Sequence, residues 1–216
     1  MIKLAPSILA ADPLNLQSSV RRMDEAGCDW IHVDVMDAHF VPNLAYGPEV
    51  VRRLRQTTRL DLDVHLMMDH PETLLDAFLE GKPSCVTVHA EIDPPLQPIL
   101  DKIRASGARA GLALKPETPL SAALPWLNQT DLILCMTVEP GFGGQTLDHH
   151  VLRKIRALKE TGYAGEIEAD GGLRPDNLQE LIDCGLTVAV MGTALFHAEN
   201  PAEEVAALHR MVPAHE

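Results

Sequence analysis

Apolar, β-branched-rich runs of strand length recur eight times along the chain, near residues 2–8, 30–36, 60–67, 84–89, 109–114, 131–138, 165–170 and 186–191. Segments whose apolar residues keep helical spacing alternate with them, among them 14–26, 71–80, 96–106 and 149–160. Eight strand–helix units in 216 residues leave about 27 residues each, enough for a strand, a helix and two short loops. Such alternation requires a parallel sheet covered by helices. Eight units close into a compact (β/α)8 barrel of the TIM type, here a single domain over residues 1–216. An open doubly wound sheet is the alternative, but no G-x-G-x-x-G follows the first strand run.

Local punctuation agrees with this register. Gly27, Gly107, Gly162 and Gly185 each follow a helical segment and precede a strand, where a C-terminal cap calls for positive φ. Pro13, Pro48, Pro71 and Pro175 stand where helices should begin, a position with no N–H to lose. The residues after Met211 are expected to fray.

Composition narrows the function classes. Four cysteines, Cys28, Cys85, Cys135 and Cys184, are far apart and form no C-x-x-C pair, so they read as reduced core residues of a cytoplasmic protein. Neither a signal peptide nor a run of roughly 18 apolar residues is present, so no membrane partner is expected. A net charge of -13 speaks against nucleic acid, whose phosphates are bound by basic surfaces. An anionic ligand would have to be held by local groups such as backbone N–H donors or a metal.

In the run Ile31–Met36 the strand period of two places His32, Asp34 and Met36 on one face, and Val64–Met67 repeats the pattern with His65 and Met67. A barrel of this kind carries its site at the C-terminal ends of the strands. By that rule His32 and Asp34 from the second strand, His65 from the third and Asp170 from the seventh project into one cup. A lone His-x-Asp on a strand is ordinarily a hydrogen-bonded pair. Four such groups at equivalent strand ends form a mixed nitrogen and oxygen set, suited to one divalent ion such as Zn²⁺, Fe²⁺, Mn²⁺ or Co²⁺ rather than Mg²⁺ or Ca²⁺. His89, ending the fourth strand, fits the same logic less well and reads as a neighbour of the ligands or as a structural residue. His39, His70, His149 and His150 fall in loops or at helix starts and read as surface residues.

Glycine turns follow three late strands: Gly141-Phe142-Gly143-Gly144, Gly171-Gly172 and Gly192-Thr193. Glycine after a strand is ordinary loop chemistry, but three such turns on adjacent strands sit where barrels of this class bind phosphate. Met36, Met67 and Met136 occupy inward positions near the rim, either as core packing or as an apolar lining that keeps water from a reactive intermediate. Ser7, ending the first strand, is polar at the same level and either positions a ligand or satisfies a loop.

The strings APSILAAD, HVDVMDAHFVPNLAYGP, DVHLMM, MTVEPGFGGQ, EADGG and MGTALF, in this order from Pro6 to Phe196, closely resemble the ribulose-phosphate 3-epimerase family. The resemblance implies a ribulose-phosphate-binding (β/α)8 barrel. It implies an isomerase of carbohydrate metabolism that interconverts D-ribulose 5-phosphate and D-xylulose 5-phosphate, in the pentose phosphate pathway, with a divalent metal. It further implies His32, Asp34, His65 and Asp170 as metal ligands and Asp34 and Asp170 as the acid/base pair. Ser7, His65, Asp170, the three methionines and the glycine turns become substrate contacts, and a homo-oligomer, dimer or hexamer, is the implied assembly. Inverting C3 of a ketose requires a proton to leave one face and return on the other, which two carboxylates can do through a metal-stabilised enediolate.

Two positions depart from the family pattern. Ala38 stands where glycine is usual, which should stiffen the loop after the second strand, and Met191 replaces a common alanine, which should tighten the phosphate corner. Relatives acting on six-carbon ketose phosphates, such as D-allulose 6-phosphate, share the core motifs, so a hexulose-phosphate 3-epimerase is the rival. A non-catalytic sugar-phosphate-binding paralogue is more remote. A barrel lyase or decarboxylase should carry a lysine at a strand end; Lys115 is the candidate, without an Asp-x-Lys pair.

Overall fold

One nine-stranded sheet runs through the computed structural model, which describes residues 1–214. Its strands are β1 (Lys3–Pro6), β2 (Trp30–Asp37), β3 (Leu44–Ala45), β4 (Asp61–Met67), β5 (Cys85–His89), β6 (Arg109–Leu114), β7 (Leu132–Met136), β8 (Glu166–Asp170) and β9 (Val188–Met191). Hydrogen bonding follows the order β1-β9-β8-β7-β6-β5-β4-β2-β3, with every pair parallel except β2 and β3. A parallel bridge between Ser7 and His32 brings β1 against β2 and closes the barrel. The eight expected strands are therefore present: 109–114 keeps its bounds, the second runs one residue further, and the other six are trimmed by one to three residues. The two-residue β3 was not expected; it is too short for an alternating pattern to register.

Helices α1 (Leu16–Glu25), α2 (Pro48–Thr57), α3 (Leu75–Leu79), α4 (Leu96–Ala105), α5 (Val151–Glu160), α6 (Leu178–Asp183), α7 (Thr193–Phe196) and α8 (Pro201–His209) surround the strands. The eightfold count needs one correction. Between β6 and β7 the chain makes only two 3₁₀ turns, Leu120–Ala122 and Leu124–Trp126. Pro116, Pro119 and Pro125 crowd that segment, and each removes a helical donor and biases its predecessor toward extended backbone. Gly27, Gly107, Gly162 and Gly185 all take the positive φ that their cap positions require. Pro48 and Pro71 open helical turns, whereas Pro13 and Pro175 lie in turns three residues before α1 and α6.

Period-two alternation sorts the strand residues into two layers. Ile31, Val33, Val35, Leu62 and Val64 pack outward against Val20, Leu54, Phe78 and Ile155 of the helices. Ala5, Trp30, Cys85, Leu132, Leu134, Met136 and Val190 fill the interior. Met191 belongs to the outer layer, fully buried. It therefore packs under the helices and does not tighten the phosphate corner, because its strand parity turns it away from the cup. All four cysteines are free and buried. Residues 212–214, expected to fray, are tied to α6: Gln179 donates to the Val212 carbonyl and the Ala214 N–H donates to Asp183, both at 2.9 Å. The rest of that tail, 215 and 216, lies outside the described residues. Among the described residues no helix is long and apolar enough to cross a membrane.

Candidate active site

Adjacent strands hold the expected ligand residues at fixed levels. In the β2–β4 register His32 stands beside Asp63, Asp34 beside His65 and Met36 beside Met67. On the opposite wall Met136 of β7 stands beside Asp170 of β8. His32 and His65 are completely buried, Asp34 nearly so, and the Asp170 side chain is 16% exposed toward the cup.

The four side chains converge. His32 Nε2 lies 3.3 Å from Asp34 Oδ1 and 3.9 Å from Asp170 Oδ2, while His65 Nδ1 lies 3.6 Å from Asp34 Oδ1. One donor atom from each of the four falls within 4.8 Å of all the others. Donors bound at about 2.1 Å around one ion stand roughly 3–3.5 Å apart, so these separations fit a shared ion with little movement. A second observation agrees: His32 Nε2 and His65 Nδ1, both buried, have no hydrogen-bond partner. An orphaned buried nitrogen is costly, and a cation between the two would satisfy both.

Below this set lie two carboxyl groups that were not expected. Asp63 and Glu168 are fully buried beneath the cup. Asp63 Oδ2 is 2.5 Å from His32 Nδ1, and Glu168 Oε1 is 3.7 Å from the same nitrogen. Asp63 thus fixes the ring so that Nε2 points up into the donor set. The sequence did carry a signal. In DVHLM and EIEAD the same alternation that selects His65 and Asp170 puts Asp63 and Glu168 two residues back on the same face. His89, left open by sequence, also finds its place: its Nε2 is 2.8 Å from His65 Nε2, and its Nδ1 is 3.0 Å from Glu91 Oε2.

Electrostatics divide the carboxyls. Burial opposes the charge on Asp34, but His32 and His65 outweigh it and hold the group far below the usual carboxylate range. Burial, reinforced by the Asp34 charge, pushes Asp170 up to about 7. Burial and the Asp63 charge likewise raise Glu168 well above its ordinary value. Burial lowers His65, and it lowers His89 to about 4. Burial would raise Glu91, yet the His89 hydrogen bond brings it down to about 2.

Asp34 and Asp170 open onto a cavity of about 1400 Å³ that Ser7, Met36, Met67, Met136 and all three glycine turns also line. Ser7 donates to Asp34 Oδ2 at 2.5 Å and caps the turn at Ile8–Ala10. Met36 and Met67 pack with Val41 near the rim, and Met136 closes the interior layer. Gly171 and Gly172 have φ of 119° and 70°, and a Cβ on Gly172 would meet the Leu147 nitrogen at 2.5 Å. Gly141 and Gly144 also have positive φ, Phe142 between them is 55% exposed, and Gly192 caps the helix that starts at Thr193. Lys115 does not enter the cup; its ammonium sits 4.0 Å above the Phe40 ring. His39, His70, His149 and His150 are exposed, as expected.

Ala38 has φ of 62° in the loop that leaves β2. Asp37 holds this loop by accepting from the N–H groups of His39, Phe40 and Asp69, and Asn43 reaches across to the Gly141 carbonyl at 2.7 Å. Alanine at this position is strained rather than merely stiff, because its Cβ crowds the carbonyl in left-handed backbone.

The fold and the cup together define a (β/α)8 barrel enzyme with a buried His₂Asp₂ centre and a glycine-lined far wall. Comparison with known proteins narrows the class. The model of the ribulose-phosphate 3 epimerase family matches residues 3–196. Ribulose-phosphate 3-epimerase of Synechocystis sp. is 46% identical over 211 residues, covering 95% of this chain and 92% of the relative. The protein of that name from Bacillus subtilis is 41% identical over 201 residues, covering 91% and 93%. The chain belongs to the ribulose-phosphate 3-epimerase family. Among solved structures, 3-hexulose-6-phosphate synthase from Salmonella typhimurium matches with a TM-score of 0.72 at 17% identity over 98% of both chains. KGPDC from Streptococcus mutans matches at 0.71 with 16% identity, over 97% of this chain and 96% of that one. At such identities these two report the shared barrel and nothing of the chemistry.

Proposed function

We propose that this chain interconverts D-ribulose 5-phosphate and D-xylulose 5-phosphate by passing the C3 proton between Asp34 and Asp170. The observation that carries the reading is the pairing itself. Two carboxyls face one cavity, one held ionised and the other raised to about 7, so one can accept a proton while the other holds one. Family membership supplies the substrate class.

In one direction Asp34 takes the proton from one face of C3 and protonated Asp170 delivers its own to the opposite face. The turnover leaves Asp34 protonated and Asp170 ionised, and exchange with water restores the starting state. Ser7 holds the Asp34 carboxylate in place through its short hydrogen bond. His32, Asp34, His65 and Asp170 are the residues that would hold the divalent ion, of the Zn, Fe, Mn or Co type. Bound there, the ion supplies positive charge against the negative charge that develops on the substrate oxygens, a contribution of several kcal/mol. Met36, Met67 and Met136 exclude water from the reacting carbons. The N–H groups of the turns at 141–144, 171–172 and 192–193 hold the phosphate at the far end of the cavity.

Metal-loaded protein given D-ribulose 5-phosphate in a coupled assay should produce xylulose 5-phosphate and exchange solvent deuterium into C3. Unchanged substrate would overturn the reading. The ratio of kcat/KM for five- and six-carbon ketose phosphates decides between this activity and the hexulose rival. The proposal takes 1–216 as one barrel domain, assembled as a homo-oligomer in the cytoplasm. Sedimentation velocity and cell fractionation test those two points, a monomer or an exported protein being the contrary results.

A further inference from the structure

The buried chain that leads away from His65 is absorbed neither by the donor set nor by the proton transfer. His89 is completely buried on the side of His65 remote from Asp34. Its ring is clamped between Phe40, with centroids 4.5 Å apart, and His65, at 4.9 Å. Its Nε2 faces His65 Nε2 at 2.8 Å, and its Nδ1 faces Glu91 Oε2 at 3.0 Å. The other Glu91 oxygen accepts from the Lys115 N–H at 2.8 Å. Glu91 also bonds the Thr118 side chain, but a carboxylate accepts from every partner, so the hydrogens can be assigned.

A carboxylate only accepts, so His89 donates from Nδ1 to Glu91. A neutral ring that donates from Nδ1 has a lone pair on Nε2, and two facing nitrogens share one hydrogen. That hydrogen must sit on His65 Nε2. His65 then has its lone pair on Nδ1, the nitrogen with no protein partner, 3.6 Å from Asp34. We propose that Glu91 and His89 are positioning residues that set the tautomer of His65, so that its Nδ1 offers a lone pair to a divalent cation in the cup. The inference rests on the metal reading above. It adds two residues that touch neither substrate nor ion. The two histidines of the donor set are thereby held in different ways: His32 directly by Asp63, His65 through an intervening imidazole.

Glu91→Gln separates a positioning role from a packing role, because it keeps shape and changes only the hydrogen inventory. The single amide oxygen is retained by the Lys115 N–H, so the amide nitrogen donates to His89 Nδ1. His89 then carries its hydrogen on Nε2, and His65 is forced to the Nδ1–H form. Long-range ¹H–¹⁵N NMR of the metal-free protein should show His65 protonated at Nε2 and His89 at Nδ1, both reversed in E91Q. Zn²⁺ affinity, read by competition with a chromogenic chelator, should fall about 10–100-fold in E91Q. A wild-type His65 protonated at Nδ1, or an E91Q protein that folds and binds Zn²⁺ as tightly as wild type, overturns the proposal. Should E91Q fail to fold, the wild-type tautomers alone decide it. Wild-type protein that binds no Zn²⁺ removes the metal reading instead, and the tautomers still settle the relay.

Discussion

The two ends of the cavity are built on opposite principles. At the barrel end the proposed working groups are side chains on strands: His32, Asp34, His65 and Asp170, buried or nearly so and held by neighbours at 2.5–3.9 Å. At the far end they are the backbone of three turns, where the residues contribute mainly by lacking a side chain. Charge that must meet a reacting carbon needs positions that do not drift, and a closed parallel barrel provides them. Holding an anion's oxygens needs several donors at once, and left-handed glycine turns bring N–H groups close without steric cost. The first end is thus sensitive to the identity of an atom and the second to the presence of one.

The largest expected effect falls at the barrel end. Asp34→Asn and Asp170→Asn each keep the shape of the side chain and remove a proton carrier, so kcat should fall about 10²–10⁴-fold while the far-UV circular dichroism spectrum stays unchanged. Near-normal turnover in either would break the division. Protons provide the next test. In the metal-free protein Asp170, raised to about 7 by burial and by the Asp34 charge, takes up a proton as pH falls below that value, and a neutral carboxyl is a weaker ligand than a carboxylate. Zn²⁺ affinity should therefore weaken as pH drops below 7, read by competition with a chromogenic chelator at each pH. Affinity independent of pH between 5 and 7 would show that this carboxyl is not a ligand.

The glycine end should respond to added atoms. Gly172→Ala must place a Cβ against the Leu147 nitrogen in backbone with φ of 70°. Left-handed backbone alone costs an alanine about 1–2 kcal/mol and the clash adds to it, so KM for the phosphorylated substrate should rise about tenfold or more while kcat stays nearly unchanged. An equal loss in kcat would make this turn part of the chemistry. The smallest effect concerns the loop that joins the two ends. Ala38→Gly removes left-handed strain beside a loop hydrogen-bonded to Gly141, so thermal unfolding should shift upward by a few degrees, for about 1 kcal/mol. A lower melting temperature would mean that glycine's greater freedom in the unfolded chain outweighs the relief of strain.

Much of the barrel end was legible in the chain because strand alternation is strict: once His32 and Asp34 share a face, His65 and Asp170 follow from the same rule. That rule also covers Asp63 and Glu168, which lie two residues below the strand ends where a barrel of this class carries its site. Met191 departs from expectation by the same rule, since its parity on β9 sends it outward. Around β6 the helical expectation gave way to prolines that local sequence already displayed.

The sequence by itself determined the order of elements, the barrel class and the placing of His32, Asp34, His65 and Asp170 toward one cup, because periodicity and turn chemistry are local properties. Only the tertiary structure decided that β1 closes on β2 and that Ala38 is strained. It alone decided that His89 and Glu91 stand behind His65. Those facts depend on which strands become neighbours and at what register, and a one-dimensional pattern does not encode the distance between residues that the barrel brings together.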